Sequence, residues 1–226
     1  MTTAIVLAAG RGKRMGTSTP KQFLEIDGVP MIVRTLRVFA DSPEIDDILL
    51  VTSKDYVTYC RREIVEKYSI PKVRAVIEGG AERYDSVWNA LLRCPDADYV
   101  MIQDGARPFV TEEILKRADV GMREYGAVAV AVPSKDTVKI TDDEGRVIDT
   151  PDRAHVWNIQ TPQAFSYALI RKANECLMAA PGGMEGITDD AMIVEKSGLS
   201  DVHLVMGAYS NIKITTPEDL LLFKGS

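Results

Sequence analysis

Arg11, Lys13, Arg14 and Lys21 all fall within residues 1–24, a stretch that contains no Asp or Glu. They are interleaved with Gly10, Gly12 and Gly16 in the run LAAGRGKRMG over residues 7–16, and Pro-Lys-Gln follows at 20–22. Glycines let backbone N–H groups approach an anion closely, and Arg and Lys add permanent positive charge, so the chemistry this pattern suits is the holding of a phosphate chain. Neither of two familiar phosphate loops is present. The GK[ST] ending of a P-loop is missing, and Gly10-x-Gly12-x-x-x-Gly16 has the wrong final spacing for a dinucleotide fingerprint. The alternative is a solvated basic loop; four cations and three glycines directly after an apolar run favour a triphosphate cradle.

Other reactive residue types are sparse. His155 and His203 are the two histidines, and Cys60, Cys94 and Cys176 lie far apart, so neither a Cys/His metal cluster nor a disulfide framework is expected. The thiols read as reduced and largely buried, and both histidines and both tryptophans, Trp88 and Trp157, as structural. Asp104 follows the apolar run YVMIQ at 99–103, the carboxyl edge where open α/β sheets bind ligands, and an Asp there suits Mg²⁺. Arg83 reads equally as a phosphate ligand or a local ion pair, and Arg107 as a ligand contact or a loop tie.

The elements that must position these residues alternate. Residues 5–9, 48–51, 73–77, 99–103 and 127–132 are continuously apolar, as buried parallel strands are, and between them residues 29–39, 56–68, 83–92 and 111–125 carry apolar residues at helical spacing. This order predicts an α/β fold: a mostly parallel sheet with helices on both faces, in a single domain over 1–226. Residues 134–160 break the pattern with a hairpin-like excursion around the polar turn TDDEGR, expected to be an arm that packs on a second subunit. Helices over 167–179 and 189–196, a strand at 202–205 and a last helix opening at Thr216-Pro217 complete the reading.

Composition bounds the function. The 226 residues carry 27 basic and 33 acidic side chains, a net charge of −6, which excludes a general nucleic-acid or anionic-membrane binder. No apolar run approaches the ~18 residues of a membrane span. The start of the chain is not built like a secretory signal, so a cytoplasmic protein is expected.

Several segments, in order, carry a resemblance: LAAGxGxRMG and PKQF at the start, GGxxRxxSV at 79–87, DGARPF at 104–109, KDTVK at 135–139, QTPQAF at 160–165, ITDDA at 187–191 and NIKITTPEDL at 211–220. Together they resemble the 2-C-methyl-D-erythritol 4-phosphate cytidylyltransferases of non-mevalonate isoprenoid biosynthesis. The resemblance implies a Rossmann-like nucleotidyltransferase fold with an arm that forms a homodimer, and in-line attack of a substrate phosphate on the α-phosphorus of CTP with loss of pyrophosphate. It implies Arg14, Lys21 and Lys213 as the charge-stabilising catalytic residues. Ala8, Ala9, Gly10, Arg11, Gly12, Gly79, Gly80, Ser86, Asp104 and Gly105 match CTP-binding positions, with Asp104 as ligand to Mg²⁺. Arg107, Thr137, Arg153, Thr161, Thr188 and Asp189 match substrate-binding positions, Thr137 and Arg153 serving the neighbouring subunit. Relatives often have Asp or Asn where this chain has Ala81, and His where it has Gln103, so neither is given a role. The nearest alternative is a ribitol-5-phosphate cytidylyltransferase, against which the KDTVK run speaks; a non-catalytic nucleotide-binding protein is a second.

Overall fold

The computed structural model describes residues 1–10, 20–216, 218 and 219. Strand β1 (Thr2–Ala8) is followed by a small hairpin, β2 (Glu25–Ile26) and β3 (Val29–Pro30), and by α1 (Met31–Asp41) and β4 (Asp47–Thr52). Then come α2 (Val57–Tyr59), β5 (Val73–Glu78), α3 (Arg83–Leu91), β6 (Tyr99–Asp104), α4 (Glu112–Tyr125) and β7 (Ala127–Pro133). The pair β8 (Ile140–Thr141) and β9 (Val147–Asp149) precedes β10 (Trp157–Ser166), α5 (Tyr167–Ala179), α6 (Asp190–Ser197) and β11 (His203–Met206). Expectation and structure agree to within a few residues along most of this order. The winding expected over 56–68 changes pitch, passing from α2 into a π-helical stretch at Cys60–Glu66. The helix expected from Thr216 lies largely outside the described residues; at its start the Asp219 carboxylate accepts the backbone N–H groups of Thr215 and Thr216 at 2.7 and 2.9 Å.

Seven strands form one sheet in the order β11-β7-β10-β6-β1-β4-β5. Parallel pairing joins β1 to β4 and β6, β4 to β5, and β7 to β11, whereas β10 is antiparallel to both its neighbours, β6 and β7. That reversal follows from the excursion after β7. A chain that leaves and returns without a crossover helix comes back antiparallel. Trp157, Asn158 and Ile159 already pair with Pro133, Val132 and Ala131, so the last residues of the segment expected to be arm, 134–160, belong to the sheet. Within the segment β8 and β9 pair antiparallel, and Val138, Ile140, Val147 and Ile148 are exposed.

Both faces of the sheet are covered, and alternate residues of each strand supply the two layers. Ala4 and Val6 of β1 join Leu50, Met101 and Val130 beneath α1 and α4, where Leu36, Phe39, Leu115 and Met122 are buried. Ile5 joins Leu49, Val100, Ile102 and Phe165 on the other face, beneath Val87 and Leu91 of α3, Ile170 of α5 and Ile193 of α6. Gly121 lets α4 pack close against β7 and β11. A Cβ there would meet Val205 Cγ1 at 2.8 Å and Val128 Cγ1 at 3.0 Å, both on stiff β-branched side chains. Ala ordinarily gains about 1 kcal/mol over Gly inside a helix, but overpacking costs ~1–3 kcal/mol, and the overlap decides the sign. Gly121→Ala is therefore expected to lower unfolding free energy in urea by about 1 kcal/mol; a stabilised variant would show that α4 can shift freely.

Candidate active site

The carboxyl ends of β1 and β6 and the start of α3 enclose a cavity of about 390 Å³, within the range of small-ligand sites. Residues 7–10 after β1 form one wall, residues 80–83 and Ser86 a second, and Asp104 with Ala106 the floor beyond β6. Lys21, Gln22, Lys213 and Thr215 close the remaining side. Because β10 runs opposite to its neighbours, its amino-terminal half lies at this same edge.

Each wall is set by local chemistry. The buried Gln22 amide donates to the carbonyls of Ala8 and Gly10 at 2.5 and 3.1 Å, fixing the chain as it leaves β1. Lys21 Nζ donates to the Ile214 carbonyl at 2.7 Å, joining the basic segment to the one that carries Lys213. Behind Lys21, Phe23 stacks on Tyr56 and meets Tyr59 edge-on, with centroids 5.0 and 5.1 Å away. At the start of α3 the glycines are required by close approach. A Cβ on Gly79 would lie 2.6 Å from Ser86 Oγ, and one on Gly80 would lie 2.2 Å from Asp85 Cβ. Ser86 Oγ accepts the Gly80 N–H at 3.0 Å and donates to the Glu82 carbonyl at 3.1 Å, so the turn and the helix lock together. The positive end of α3 then stands at the cavity wall.

Asp104 is the electrostatic centre. Its Oδ2 lies 2.7 Å from Lys213 Nζ and its Oδ1 3.4 Å from Arg83 Nε, and its backbone N–H donates to Thr161 Oγ1 at 3.1 Å. Burial alone would raise this carboxyl, but Arg83 and Lys213, with Arg107 beyond them, outweigh it and hold it down at about 2. Arg83 also reaches Asp190 of α6, Nη2 to Oδ2 at 2.7 Å. Burial disfavours the guanidinium charge, and Asp190 and Asp104 more than restore it, raising its pKa. The Asp190 carboxyl is pushed up by complete burial, against the pull of Arg83.

Of the expected site residues, Ala8, Ala9, Gly10, Lys21, Gly80, Ser86, Asp104 and Lys213 line the cavity, and Gly79 packs directly behind Ser86. Arg11, Gly12 and Arg14 lie outside the described residues. Three others act from behind the wall. Gly105 donates its N–H to the Leu7 carbonyl at 2.8 Å, where a Cβ would meet Ile32 Cδ1 at 2.6 Å. Arg107 donates to the carbonyls of Asn211 and Ile159 at 2.7 and 3.4 Å, tying its loop to β10 and to the segment beyond β11. Thr161 Oγ1 accepts the Asp104 N–H.

The acceptor-side residues are dispersed. Thr137 and Arg153 are exposed on the excursion, and Arg153 donates to the Lys135 carbonyl at 3.2 Å. Thr188 is exposed and contacts Met192 Sδ at 3.7 Å, while Asp189 caps α6 by accepting the Met192 N–H at 2.9 Å.

Asp190, Gln163, Gln22 and Asn211 received no role from sequence, though all four stand inside the recognised motifs. Asp190 had a legible signal: it lies three and four residues before the buried Ile193 and Val194, hence on the inward helix face. Asn211 is buried and donates to Gln160 Oε1 and the Thr161 carbonyl, tying the Lys213 segment to β10.

Among the described residues no three Asp, Glu, His or Cys side chains gather as a metal cage. The single Asp104 carboxylate, already between two cations, fits Mg²⁺ only as one ligand of an ion held mainly by phosphate oxygens and water. Asp104 also sets a pH dependence. Its folded value of about 2 lies below the ordinary 3.8, so its stabilisation is complete above pH ~4 and is lost as pH falls toward 2. In urea denaturation between pH ~6 and ~2.5, the wild type is expected to lose on the order of 1–2 kcal/mol more than Asp104→Asn. Equal losses would remove Asp104 as the counter-charge to Lys213 and a second one to Arg83.

Comparison with known proteins agrees with this geometry. The family model described as IspD, 2-C-methyl-D-erythritol 4-phosphate cytidylyltransferase, matches residues 2–224. A 2-C-methyl-D-erythritol 4-phosphate cytidylyltransferase of Geotalea uraniireducens is 50% identical over 225 residues, covering 97% of this chain and 94% of its own. That of Clostridium botulinum is 46% identical over 222 residues, covering 98% and 97%. The crystal structure of the 4-diphosphocytidyl-2C-methyl-D-erythritol synthase of Anaerococcus prevotii superposes with a TM-score of 0.86 at 38% identity, over 98% of this chain and 93% of that one. The chain belongs to the IspD family, the 2-C-methyl-D-erythritol 4-phosphate cytidylyltransferases.

Proposed function

We propose that the cavity takes CTP, with its triphosphate along residues 8–12 and its base and ribose against Gly79, Gly80 and Ser86. In this reading an oxygen of the 2-C-methyl-D-erythritol 4-phosphate phosphate attacks the α-phosphorus in line, and the bond to the β-phosphate bridging oxygen breaks. Pyrophosphate leaves with that electron pair. The attacking phosphate is already an anion, so no general base is needed, and the work left to the chain is alignment and charge neutralisation. The observation that carries this reading is that Lys21, Arg83 and Lys213, from three separate segments, meet at one cavity whose lining contains neither His nor Cys.

Lys21 and Lys213 take the roles of point charges on the phosphoryl oxygens, with Arg14 as their bidentate partner. Mg²⁺ would screen the triphosphate, with Asp104 as the carboxylate to share it. Gly105, Arg107 and Thr161 serve as supports, holding Asp104 and its loop in register. Thr188 and Asp189 stand at the acceptor side.

Thr137 and Arg153 do not line the cavity of their own chain. A homodimer in which the excursion after β7 brings them to the neighbouring subunit's acceptor site gives both a use, and the exposed Ile140, Val147 and Ile148 supply apolar surface for that contact. Cytoplasmic residence fits a substrate pair of small phosphates, and among the described residues no helix is long and apolar enough to cross a membrane.

Pyrophosphate release from CTP and Mg²⁺ with each polyol phosphate in turn tests the substrate: turnover is expected with methylerythritol phosphate, and turnover of ribitol phosphate alone would refute it. Lys21→Ala is expected to lower kcat by at least 10²-fold with an unchanged thermal melt, as for loss of a transition-state charge contact; a near-normal kcat removes Lys21 from the chemistry. Arg153→Ala should raise KM for methylerythritol phosphate while leaving KM for CTP nearly unchanged. Equal effects on both would contradict the cross-subunit assignment.

A further inference from the structure

Asp190 is the least explained charge in the molecule. It is the first residue of α6, it is wholly buried, and neither carboxylate oxygen has a hydrogen-bond partner of good geometry. A buried carboxylate of this kind is costly, and a well-packed apolar residue would usually serve stability as well or better. Among the described residues its one close cationic neighbour is Arg83, 2.7 Å away, and Arg83 stands on the cavity wall.

The backbone of Asp190 is clamped as firmly as its side chain is isolated. The buried Gln163 of β10 accepts the N–H groups of both Asp190 and Ala191 through Oε1, each at 2.9 Å. Gln163 Nε2 donates to Asp189 Oδ2 at 2.8 Å, and Asp189 in turn caps the helix. One side chain of the sheet thus fixes where the Asp190 charge sits relative to β6 and the cavity.

Arg83 is divided between two carboxylates. Its Nη2 is close to Asp190, and its Nε meets Asp104 at a loose 3.4 Å, while Lys213 holds the other Asp104 oxygen at 2.7 Å. Were the Asp190 charge absent, the guanidinium would have only Asp104 to pair with, and a planar fork closes readily on a carboxylate in bidentate fashion. That closure would compete with Lys213 and withdraw Arg83 from any anion in the cavity.

We propose that Asp190 is a positioning residue for the cytidylyl-transfer site: from α6 it holds the Arg83 guanidinium away from Asp104, leaving Asp104 to Lys213 and Arg83 to the triphosphate. The inference rests on the assignment of the cavity to CTP. It explains why a carboxylate is kept where burial disfavours one, and why its backbone is held by a dedicated buried amide. It also gives Arg83 both of the roles between which its sequence position left the choice open.

The test is a double-mutant cycle on the full-length enzyme, with steady-state kinetics in CTP at saturating methylerythritol phosphate. Asp190→Asn should raise KM for CTP about tenfold or more, with a smaller change in KM for methylerythritol phosphate. Arg83→Gln should lower kcat/KM for CTP by a similar factor. The decisive comparison is Arg83→Gln against Arg83→Gln/Asp190→Asn. The double variant holds no unpaired buried charge, so it is expected to melt at or above the temperature of Arg83→Gln, with kcat/KM within about twofold of it. A merely structural Asp190 would give independent losses that multiply in the cycle, and that result overturns the proposal even if Asp190→Asn alone does not fold. Unchanged kcat/KM for CTP in Arg83→Gln would also overturn it, while leaving the overall reaction, read from wild-type turnover, intact.

Discussion

One buried negative charge organises the carboxyl edge of the sheet. Asp104 sits at the end of a central strand, and the cations around it come from the start of α3, from the loop after its own strand and from the segment beyond β11. Each cation is held in a partly desolvated place by that carboxylate and would repel the others without it. The arrangement resembles a binding site kept ready for an anion: positive charge is gathered in excess, balanced only enough to be stable, and exposed to a cavity. The overall charge of −6 is no obstacle, because a triphosphate needs a local positive pocket and not a broad basic face.

The rest of the fold serves to bring these groups to one edge. Parallel pairing of β1, β4 and β6 aligns their carboxyl ends, and the antiparallel return of β10 delivers Gln160, Thr161 and Gln163 to the same place. Those three side chains are spent on positioning: Gln160 and Thr161 hold the segment with Asn211 and the Asp104 backbone, and Gln163 holds α6. Arg107 and Gln22 do the same for neighbouring loops. Much of the polar chemistry of the site therefore faces inward, making the frame on which the few cavity-facing charges rest.

The strands were legible because burial on both faces makes them continuously apolar, and the helices because one stripe must face that sheet. Charge and glycine spacing singled out the opening segment, and of its expected site residues Ala8, Ala9, Gly10 and Lys21 line the cavity. What sequence could not separate were residues whose roles depend on distant partners. Arg107 next to Asp104 reads in sequence as a ligand contact or a loop tie, and only the fold shows Asn211 and Ile159 beside it. Asp189 and Asp190 are neighbours in one motif: helical spacing marks Asp190 for the inward face, but that Arg83 waits there shows only in the fold. The sense of β10 was hidden too, because an extended run reads the same in either direction.

The central claim is that this site aligns two phosphates and neutralises charge, supplying no nucleophile and no base of its own. Stereochemistry at the transferred phosphorus tests it most directly. With a single diastereomer of CTP carrying sulfur on the α-phosphate, one in-line displacement must give product of inverted configuration. Inversion is the expected result; retention would require a second displacement through a cytidylylated side chain and would contradict the claim.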